Sequence, residues 1–259
     1  MILIFGPFDP SGSSSLPADA VTCGALGAHA LSTITSIHVQ DTTGIEEIQT
    51  VGSELIDDQA RCLLEDMPVQ AIKIGPLYTS ESVSVLAQIA ADYSKLPLML
   101  HLTPLPDEAL LDDNDTEDAL HAIFELLLPQ TDIVFVDHAL ANQWQSHGLL
   151  PQSDTDKAAA SLLEFGATWV LSSGSPVRPG YLSTLLQGPD NQTFSWPAPP
   201  RVERLVDADG PLACAITAEL ARGRNAPEAV EIALNTSARL ALSWFQPGMG
   251  HRLLNRAAS

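Results

Sequence analysis

The residues best suited to chemistry lie in a turn near the N-terminus, between an apolar strand and a helix. The turn reads Gly6-Pro-Phe-Asp-Pro-Ser-Gly-Ser-Ser-Ser-Leu-Pro-Ala-Asp19 and follows the apolar run Met1–Phe5. A strand that ends in such a turn and continues into a helix places backbone and short polar groups at its carboxyl end, where α/β sheets bind ligands. Asp19, one turn into the helix, can direct a carboxylate to that place. The pattern predicts a small-molecule pocket.

Two further positions follow predicted strands and fit the same pocket. Gln40 comes directly after Ser32–Val39, and its amide offers both a donor and an acceptor, which suits the edge of a heterocycle. Gly75 follows Ala71–Ile74, and a glycine lets a ligand approach the backbone closely. Each also has an ordinary interpretation, a loop glutamine and a normal strand-to-helix connection.

A third turn, Asp207-Ala-Asp-Gly-Pro-Leu-Ala-Cys214, precedes helical sequence. A helix N-terminus there would bind an anion through free N–H groups, with Gly210 and Ala213 as candidates, and would favour the thiolate of Cys214. The alternative is a plain buried cysteine, because free cysteine is among the most buried residue types. His101, His138 and His251 are scattered. They are predicted to be surface or hydrogen-bonded loop residues, so no metal site is predicted.

Composition narrows the class of protein. The chain has 259 residues, with 32 acidic against 12 basic side chains and a formal net charge of −20. This balance argues against binding to nucleic acid or to anionic membranes, both of which need basic surfaces. The three cysteines have no metal-binding or disulfide spacing, and no apolar run is long enough for a signal peptide or a membrane span. A cytoplasmic protein is expected.

Short apolar strands alternate with helical segments along the chain. This alternation predicts an α/β fold in which a mostly parallel central sheet is covered by helices on both faces, a three-layer αβα sandwich. The run Gly180–Gln187 and the following Phe194-Ser-Trp196 predict a hairpin at one edge of the sheet. No linker divides the chain, so residues 1–259 are expected to form a single domain. The other predicted strands are Ile2–Phe5, Leu98–Leu102, Ile133–Val136 and Trp169–Ser172, and the predicted helices are Ala18–Gly27, Ser53–Glu65, Ser80–Tyr93, Thr116–Leu127, Asp154–Phe165, Leu212–Arg222 and Pro227–Phe245.

These motifs together resemble the hydroxymethylpyrimidine/phosphomethylpyrimidine kinases of thiamine biosynthesis, in the ribokinase-like superfamily. The opening turn is similar to that family's G-x-D-P-S-G-G-A-G-x-Q-A-D, and Ala25-Leu-Gly-Ala28 closes the helix as in the family. Val39-Gln-Asp-Thr42 is similar to A-Q-N-T, and Lys73-Ile-Gly-Pro-Leu77 to K-I-G-M-L. The likeness runs in order over the whole chain and is most specific in its N-terminal third.

The resemblance implies a ribokinase-like fold and an ATP- and Mg-dependent kinase acting on a small aminopyrimidine, and it also implies a homodimer. Gly6, Asp19 and Gln40 match positions that line the family's pyrimidine pocket, and Cys214 is the match for its catalytic cysteine. The phosphate-handling motifs depart from the family pattern. The departures are His101-Leu-Thr103 for D-P-V, Phe135–Leu140 for T-P-N-x-x-E, Ser172–Ser175 for K-G-G-H and Gly210–Cys214 for the catalytic turn.

Two hypotheses follow. The first is an active kinase with Cys214 near the accepting hydroxyl. The second is a protein derived from a kinase that binds the pyrimidine without transferring phosphate, since phosphoryl transfer depends on electrostatic stabilisation that the changed motifs would supply less well. A subunit that binds no ligand is a third and less favoured interpretation.

Overall fold

The computed structural model describes residues 1–111, 116–151, 158–198 and 205–256. In chain order the strands are β1 (Ile2–Phe8), β2 (Ala30–Gln40), β3 (Ile45–Thr50), β4 (Ala71–Ile74), β5 (Leu98–His101), β6 (Ile133–Asp137), β7 (Trp169–Arg178), β8 (Tyr181–Gln187), β9 (Thr193–Pro197), β10 (Trp244–Phe245) and β11 (Leu253–Leu254). The helices are α1 (Ser15–Ala25), α2 (Ser53–Asp66), α3 (Ser80–Asp92), α4 (Thr116–Ala122), α5 (His138–Ser146), α6 (Gly210–Ala221) and α7 (Ala226–Leu240).

Nine of the described strands form one sheet in the order β3-β2-β1-β4-β5-β6-β7-β8-β9. Six neighbouring strands are paired in parallel, in the order β2-β1-β4-β5-β6-β7. Strand β3 and the β8–β9 hairpin add antiparallel edges. Parallel strands require crossover connections, and the helices that make them cover both faces of the sheet. The predicted α/β architecture and the edge hairpin are confirmed.

Alternate residues of the central strands face opposite layers. Leu3 and Phe5 of β1 pack under α2 and α3, whereas Ile2 and Ile4 pack against α1 and α6. The same alternation continues in β4 to β6, whose strands are almost completely buried. Strands covered on both faces read as continuous apolar runs, which is why they were recognisable in the sequence. No helix in the described part of the chain is long and apolar enough to cross a membrane.

The sequence analysis missed strand β3 and helix α5, as well as the short strands β10 and β11. Strand β3 lies at the edge of the sheet and is mostly exposed, so it lacks the apolar pattern of the central strands. Helix α5 begins where the Asp137 carboxylate accepts hydrogen bonds from the N–H groups of Ala139 and Leu140. It buries only a narrow stripe, Leu140, Ala141 and Trp144. A stripe that narrow gives little periodic signal.

Several predicted boundaries were wrong. Helix α1 begins at Ser15 rather than Ala18, and Gly27 ends it with a positive φ of 72°, the left-handed conformation that glycine adopts readily. Residues 158–163 form a 3₁₀ helix where an α-helix was predicted, and residues 154–157 lie outside the described residues. The last helix ends at Leu240, and Trp244–Phe245 instead pairs with Leu253–Leu254.

Candidate active site

A cavity of about 680 Å³ opens at the carboxyl ends of the central strands. The ends of β1, β4, β5 and β6 contribute Gly6, Gly75, His101 and Asp137 to its wall. Parallel strands end at the same edge of a sheet, so crossover turns that are far apart in sequence converge there. The start of α1, the end of β2 and the segment before α6 close the cavity from the sides.

The structure brings the four predicted substrate-binding residues together. Gly6, Asp19, Gln40 and Gly75 all line this cavity. The Gly75 N–H donates to the Phe5 carbonyl at 2.8 Å, which holds the residue after β4 beside strand β1. The turn after β1 is ordered by the buried carboxylate of Asp9, which accepts hydrogen bonds from the backbone N–H groups of Ser11, Ser13 and Ser14.

Asp19 and Lys73 form a buried ion pair in the cavity wall. The Lys73 Nζ donates to Asp19 Oδ2 at 2.6 Å, and both side chains are at most 5% exposed. Burial alone would lower the pKa of Lys73, but the Asp19 carboxylate overcomes this and raises it. Lys73 therefore stays charged at neutral pH. Lys73 was not predicted to belong to the site. Its position one residue before the end of β4 is the signal that it faces the layer of α1 and α6.

Cys214 does not reach the cavity. It is the fifth residue of α6, is completely buried, and its Sγ donates to Asp19 Oδ1 at 3.0 Å. Burial raises the pKa of the Cys214 thiol well above its usual value, followed by contributions from Cys23 and Asp19. The expectation of a favoured thiolate is wrong, because Cys214 lies a full turn inside the helix next to a carboxylate. The structure fits the alternative interpretation, a buried cysteine.

At the start of α6, where an anion site was predicted, the Asp207 carboxylate lies against Gly210. Gly210 and Ala213 are buried in the first turns of α6 and do not line the cavity. A Cβ added to Gly210 would lie 2.1 Å from Asp207 Oδ2. The carboxylate therefore packs against the helix terminus, where it also accepts a hydrogen bond from Arg256 Nη2 at 2.9 Å. The glycine provides room for this carboxylate.

Asp207 and Asp209 both line the cavity on the α6 side. Asp207 has a φ of 54°, an uncommon backbone conformation for a non-glycine residue. Burial raises its pKa to about 7 in spite of Arg256. The Asp209 carboxylate accepts a hydrogen bond from Ser173 Oγ at 2.8 Å, which connects the Ser172–Ser175 segment of β7 to the site.

His101 is a cavity residue rather than the surface or loop histidine expected. It ends β5, is 8% exposed and stacks on Phe135 with ring centroids 5.1 Å apart. Burial, together with the nearby Lys73 cation, lowers its pKa to about 3. The imidazole is therefore neutral at physiological pH. Its position at a strand end was the signal that could have found it.

A hydrogen-bonded network surrounds Gln40. His38 Nδ1 lies 3.0 Å from Gln40 Oε1, and Tyr78 Oη lies 3.3 Å from His38 Nε2. The Gln40 Nε2 lies 3.4 Å from both Asp9 Oδ2 and Ser13 Oγ. His38 and Tyr78 also line the cavity, and neither was identified from the sequence. The strand residue His38 is separated from Tyr78 by forty positions, so only the fold brings them together.

Within the described residues there is no group of three or more His, Cys, Asp or Glu side chains that could hold a metal ion. Mg²⁺ bound to a nucleotide needs less, because phosphates and waters fill most of its coordination positions and one or two protein carboxylates complete them. The carboxylates of Asp137 and Asp209 on the cavity wall are ligands of that kind.

Comparison with known proteins places this chain in a family. The family model for phosphomethylpyrimidine kinase matches residues 9–255. The chain belongs to the phosphomethylpyrimidine kinase family. Among the family's curated members, the hydroxymethylpyrimidine/phosphomethylpyrimidine kinase of Streptomyces coelicolor is 27% identical over 237 residues, covering 90% of this chain and 85% of its own. The enzyme of the same name from Rhizobium meliloti is 29% identical over 232 residues, covering 87% and 84%.

Solved structures agree on the fold of this phosphomethylpyrimidine kinase family member. The phosphomethylpyrimidine kinase of Clostridium difficile superposes with a TM-score of 0.75 at 23% identity, covering 93% of this chain and 99% of that one. Bacillus subtilis pyridoxal kinase, solved as an ADP complex, gives a TM-score of 0.84 at 17% identity, covering 99% and 97%. The predicted ribokinase-like architecture is confirmed.

Proposed function

We propose that the protein is an ATP-dependent kinase that phosphorylates the hydroxymethyl group of an aminopyrimidine, a precursor of thiamine. One observation carries the proposal. In a chain that belongs to the phosphomethylpyrimidine kinase family, the four residues predicted to bind substrate, Gly6, Asp19, Gln40 and Gly75, converge on one cavity at the carboxyl edge of the sheet.

The cavity suits a flat heterocycle. Gly6 and Gly75 present backbone without side chains, and Gln40 provides one amide donor and one acceptor at the side. The Asp19 carboxylate is already paired with Lys73, and this ion pair holds it in a fixed orientation. In that orientation the carboxylate would accept a further hydrogen bond from an amino group of the ligand. A cavity of about 680 Å³ lies within the usual range for small-molecule sites.

The phosphate donor is proposed to be ATP with Mg²⁺. A Staphylococcus aureus pyridoxal kinase of the same fold has been solved with AMP-PCP, which supports a nucleotide site in this architecture. Bound Mg²⁺ would neutralise charge on the phosphates, and Asp137 or Asp209 would hold it at the cavity wall. In this arrangement, carboxylates of the cavity wall would hold Mg²⁺ in place of the phosphate-handling motifs that differ from the family pattern.

The proton of the accepting hydroxyl is proposed to go to Asp207 rather than to Cys214. The hydroxyl oxygen forms a bond to the γ-phosphorus, the bond from that phosphorus to the ADP oxygen breaks, and the carboxylate takes the proton. A general base works best with a pKa near the working pH, and Asp207, with a pKa of about 7, faces the cavity. Cys214 is buried and holds Asp19 in place.

Calorimetry and an ADP-release assay test the proposal. Hydroxymethyl aminopyrimidine and Mg·ATP are titrated separately, and ADP release is then measured with both present. Both ligands are expected to bind, and ADP release is expected to depend on the pyrimidine. Pyrimidine binding without ADP release would show a binding protein without kinase activity, and absent pyrimidine binding would refute the pocket assignment.

Variants then assign the base. Asp207→Asn is expected to lower kcat by about a hundredfold or more, within the usual range for loss of a general base. Cys62→Ser, at an exposed cysteine that does not line the cavity, is the control and should leave kcat unchanged. A larger loss in Asp209→Asn than in Asp207→Asn would transfer the role to Asp209.

A further inference from the structure

The hydrogen bonds around Gln40 have a direction that the chemistry of their two ends determines. The participants are Tyr78, His38, Gln40 and Asp9, here called the Gln40 network. An amide can present its oxygen and nitrogen in either order, and the order decides which edge of a heterocycle it matches.

Asp9, at one end of the network, can only accept hydrogen bonds. The Asp9 carboxylate is completely buried, and although burial alone would raise its pKa, hydrogen bonds from Ser11 and Ser13 lower it. Asp9 is therefore ionised and has no proton to donate. The Gln40 group that lies 3.4 Å from Asp9 Oδ2 must then be the NH₂ group, because two oxygens there would repel each other.

The orientation of Gln40 determines the hydrogen bonds of His38 and Tyr78 at the other end of the network. With its nitrogen towards Asp9, Gln40 turns its Oε1 towards His38, whose Nδ1 lies 3.0 Å away and must carry the ring proton. Burial lowers the pKa of His38, so the ring is neutral and its Nε2 has a free lone pair. That lone pair accepts the hydrogen bond of the Tyr78 hydroxyl at 3.3 Å. Burial also raises the pKa of Tyr78, which keeps the hydroxyl protonated.

We propose that His38, held by Tyr78, is a positioning residue that locks the Gln40 amide and so makes the cavity select an amino-substituted heterocycle over its keto analogue. The inference rests on the proposed function and adds a specificity to it. The second lone pair of Gln40 Oε1 accepts from an exocyclic amino group. Asp9 Oδ2 and Ser13 Oγ, the two acceptors next to Gln40 Nε2, lie 2.6 Å apart and share one of its N–H groups, so the second N–H donates to the adjacent ring nitrogen. A keto oxygen beside a ring N–H presents the opposite order.

Accommodating the keto analogue requires the Gln40 amide to turn over. Its oxygen would then face the ionised Asp9, and its nitrogen would face His38, whose proton would have to move to the other ring nitrogen. A mispaired buried hydrogen bond of this kind corresponds to about a tenfold or greater loss of affinity. The Gln40 network therefore lowers the affinity for the keto analogue relative to the amino ligand, whereas the backbone around Gly6 and Gly75 contacts both ligands in the same way.

The test compares the two ligands in three proteins. The ratio of dissociation constants for the hydroxymethyl aminopyrimidine and its keto analogue is measured by calorimetry in the wild type, in His38→Asn and in His38→Leu. Asparagine places an N–H donor the same number of bonds from Cα as Nδ1 of histidine, and leucine places a methyl group there. The wild type is expected to prefer the amino ligand about tenfold or more, and His38→Asn to keep most of that preference. His38→Leu is expected to reduce it to less than about threefold.

A second measurement needs no ligand. Nitrogen-15 spectra of the histidine rings, with the His38 signal assigned by its loss in His38→Asn, should show the Nδ1–H tautomer. An Nε2–H tautomer, an unchanged preference in a folded His38→Leu protein, or equal losses in both variants would each overturn the proposal. If the wild type binds neither ligand, the proposed function fails and the specificity fails with it, whereas binding of both ligands with equal affinity refutes only the specificity.

Discussion

At the residue scale, burial decides what each ionisable group near the cavity does. Asp19 was predicted to bind the pyrimidine directly, but its two oxygens already accept from Lys73 Nζ and Cys214 Sγ. Asp19 therefore stabilises the folded protein and also lines the cavity. A variant that removes its carboxylate changes both, so a loss of ligand binding in that variant would not by itself show a direct contact with the ligand.

Replacing Asp19 by alanine is expected to lower the free energy of unfolding by about 3–5 kcal/mol, because it leaves the Lys73 cation buried without a partner. Asp66→Ala, at an exposed carboxylate at the end of α2, is the control and should change stability by less than about 0.5 kcal/mol. Denaturant titration measures both. The double variant Asp19→Ala/Lys73→Met should recover part of the loss, and a stable Asp19→Ala protein would show that the pair contributes little.

His101 should make the protein acid-sensitive. Its pKa of about 3 in the folded state lies below the value of 6.5 for an unperturbed histidine, so unfolding takes up a proton below pH 6.5. Its stabilising contribution is complete above pH 6.5 and declines as the pH falls towards 3. At pH 5, which is 1.5 pH units below 6.5, the free energy of unfolding is about 2 kcal/mol lower, because each pH unit corresponds to about 1.36 kcal/mol. Denaturant titrations at pH 8 and pH 5 should show a smaller decline in His101→Asn than in the wild type. Equal declines would mean that His101 is solvated.

At the scale of elements, the segment between β10 and β11 packs closely against the turn between β2 and β3, next to Gln40. The His251 N–H donates to the Thr42 carbonyl at 2.7 Å, and a Cβ on Gly250 would lie 1.9 Å from the same carbonyl oxygen. Glycine is needed there because the neighbouring atom is backbone and cannot move independently. This contact connects the end of the chain to the substrate side of the sheet.

Gly250→Ala is expected to push the C-terminal segment away from Thr42 and to lower the free energy of unfolding by about 1–3 kcal/mol, the usual cost of overpacking. Gly44→Ala, in the same turn but with open space around its Cα, is the matched control. Hydrogen exchange at the His251 N–H should accelerate in the first variant and not in the second. Similar exchange in both would show that the segment adapts without losing the contact.

The elements also show where sequence patterns suffice. Strands β4, β5 and β6 are buried on both faces, so their continuous apolar runs were recognised close to their observed bounds. Strand β3 and helix α5 bury few side chains and were missed. The missed elements carry Ile45, Ala139 and Leu140, which line the cavity.

At the scale of the whole molecule, the net charge of −20 should oppose the compact state through self-repulsion. Added salt screens this repulsion, with a Debye length near 30 Å at 0.01 M and 10 Å at 0.1 M. Raising sodium chloride from 10 to 200 mM should therefore raise Tm. Calorimetric scans at the two concentrations measure the shift, and potassium chloride should act equally, whereas a fall in Tm would show that attractive ion pairs such as Arg61–Asp57 dominate.

The sequence by itself determined the fold class, the strand ends that build the cavity, and the family. The period of apolar residues, the residue types in turns and the spacing of motifs are local properties of the sequence. The four predicted substrate-binding residues were found because each stands shortly after a predicted strand, and they are Gly6, Asp19, Gln40 and Gly75. The tertiary structure alone decided the charge state and partners of these groups. Cys214 lies near a helix terminus in sequence, yet packing turns it away from the cavity towards Asp19. His38, Tyr78 and His101 come from separate strands and turns, and their burial and mutual hydrogen bonds exist only once those strands lie side by side.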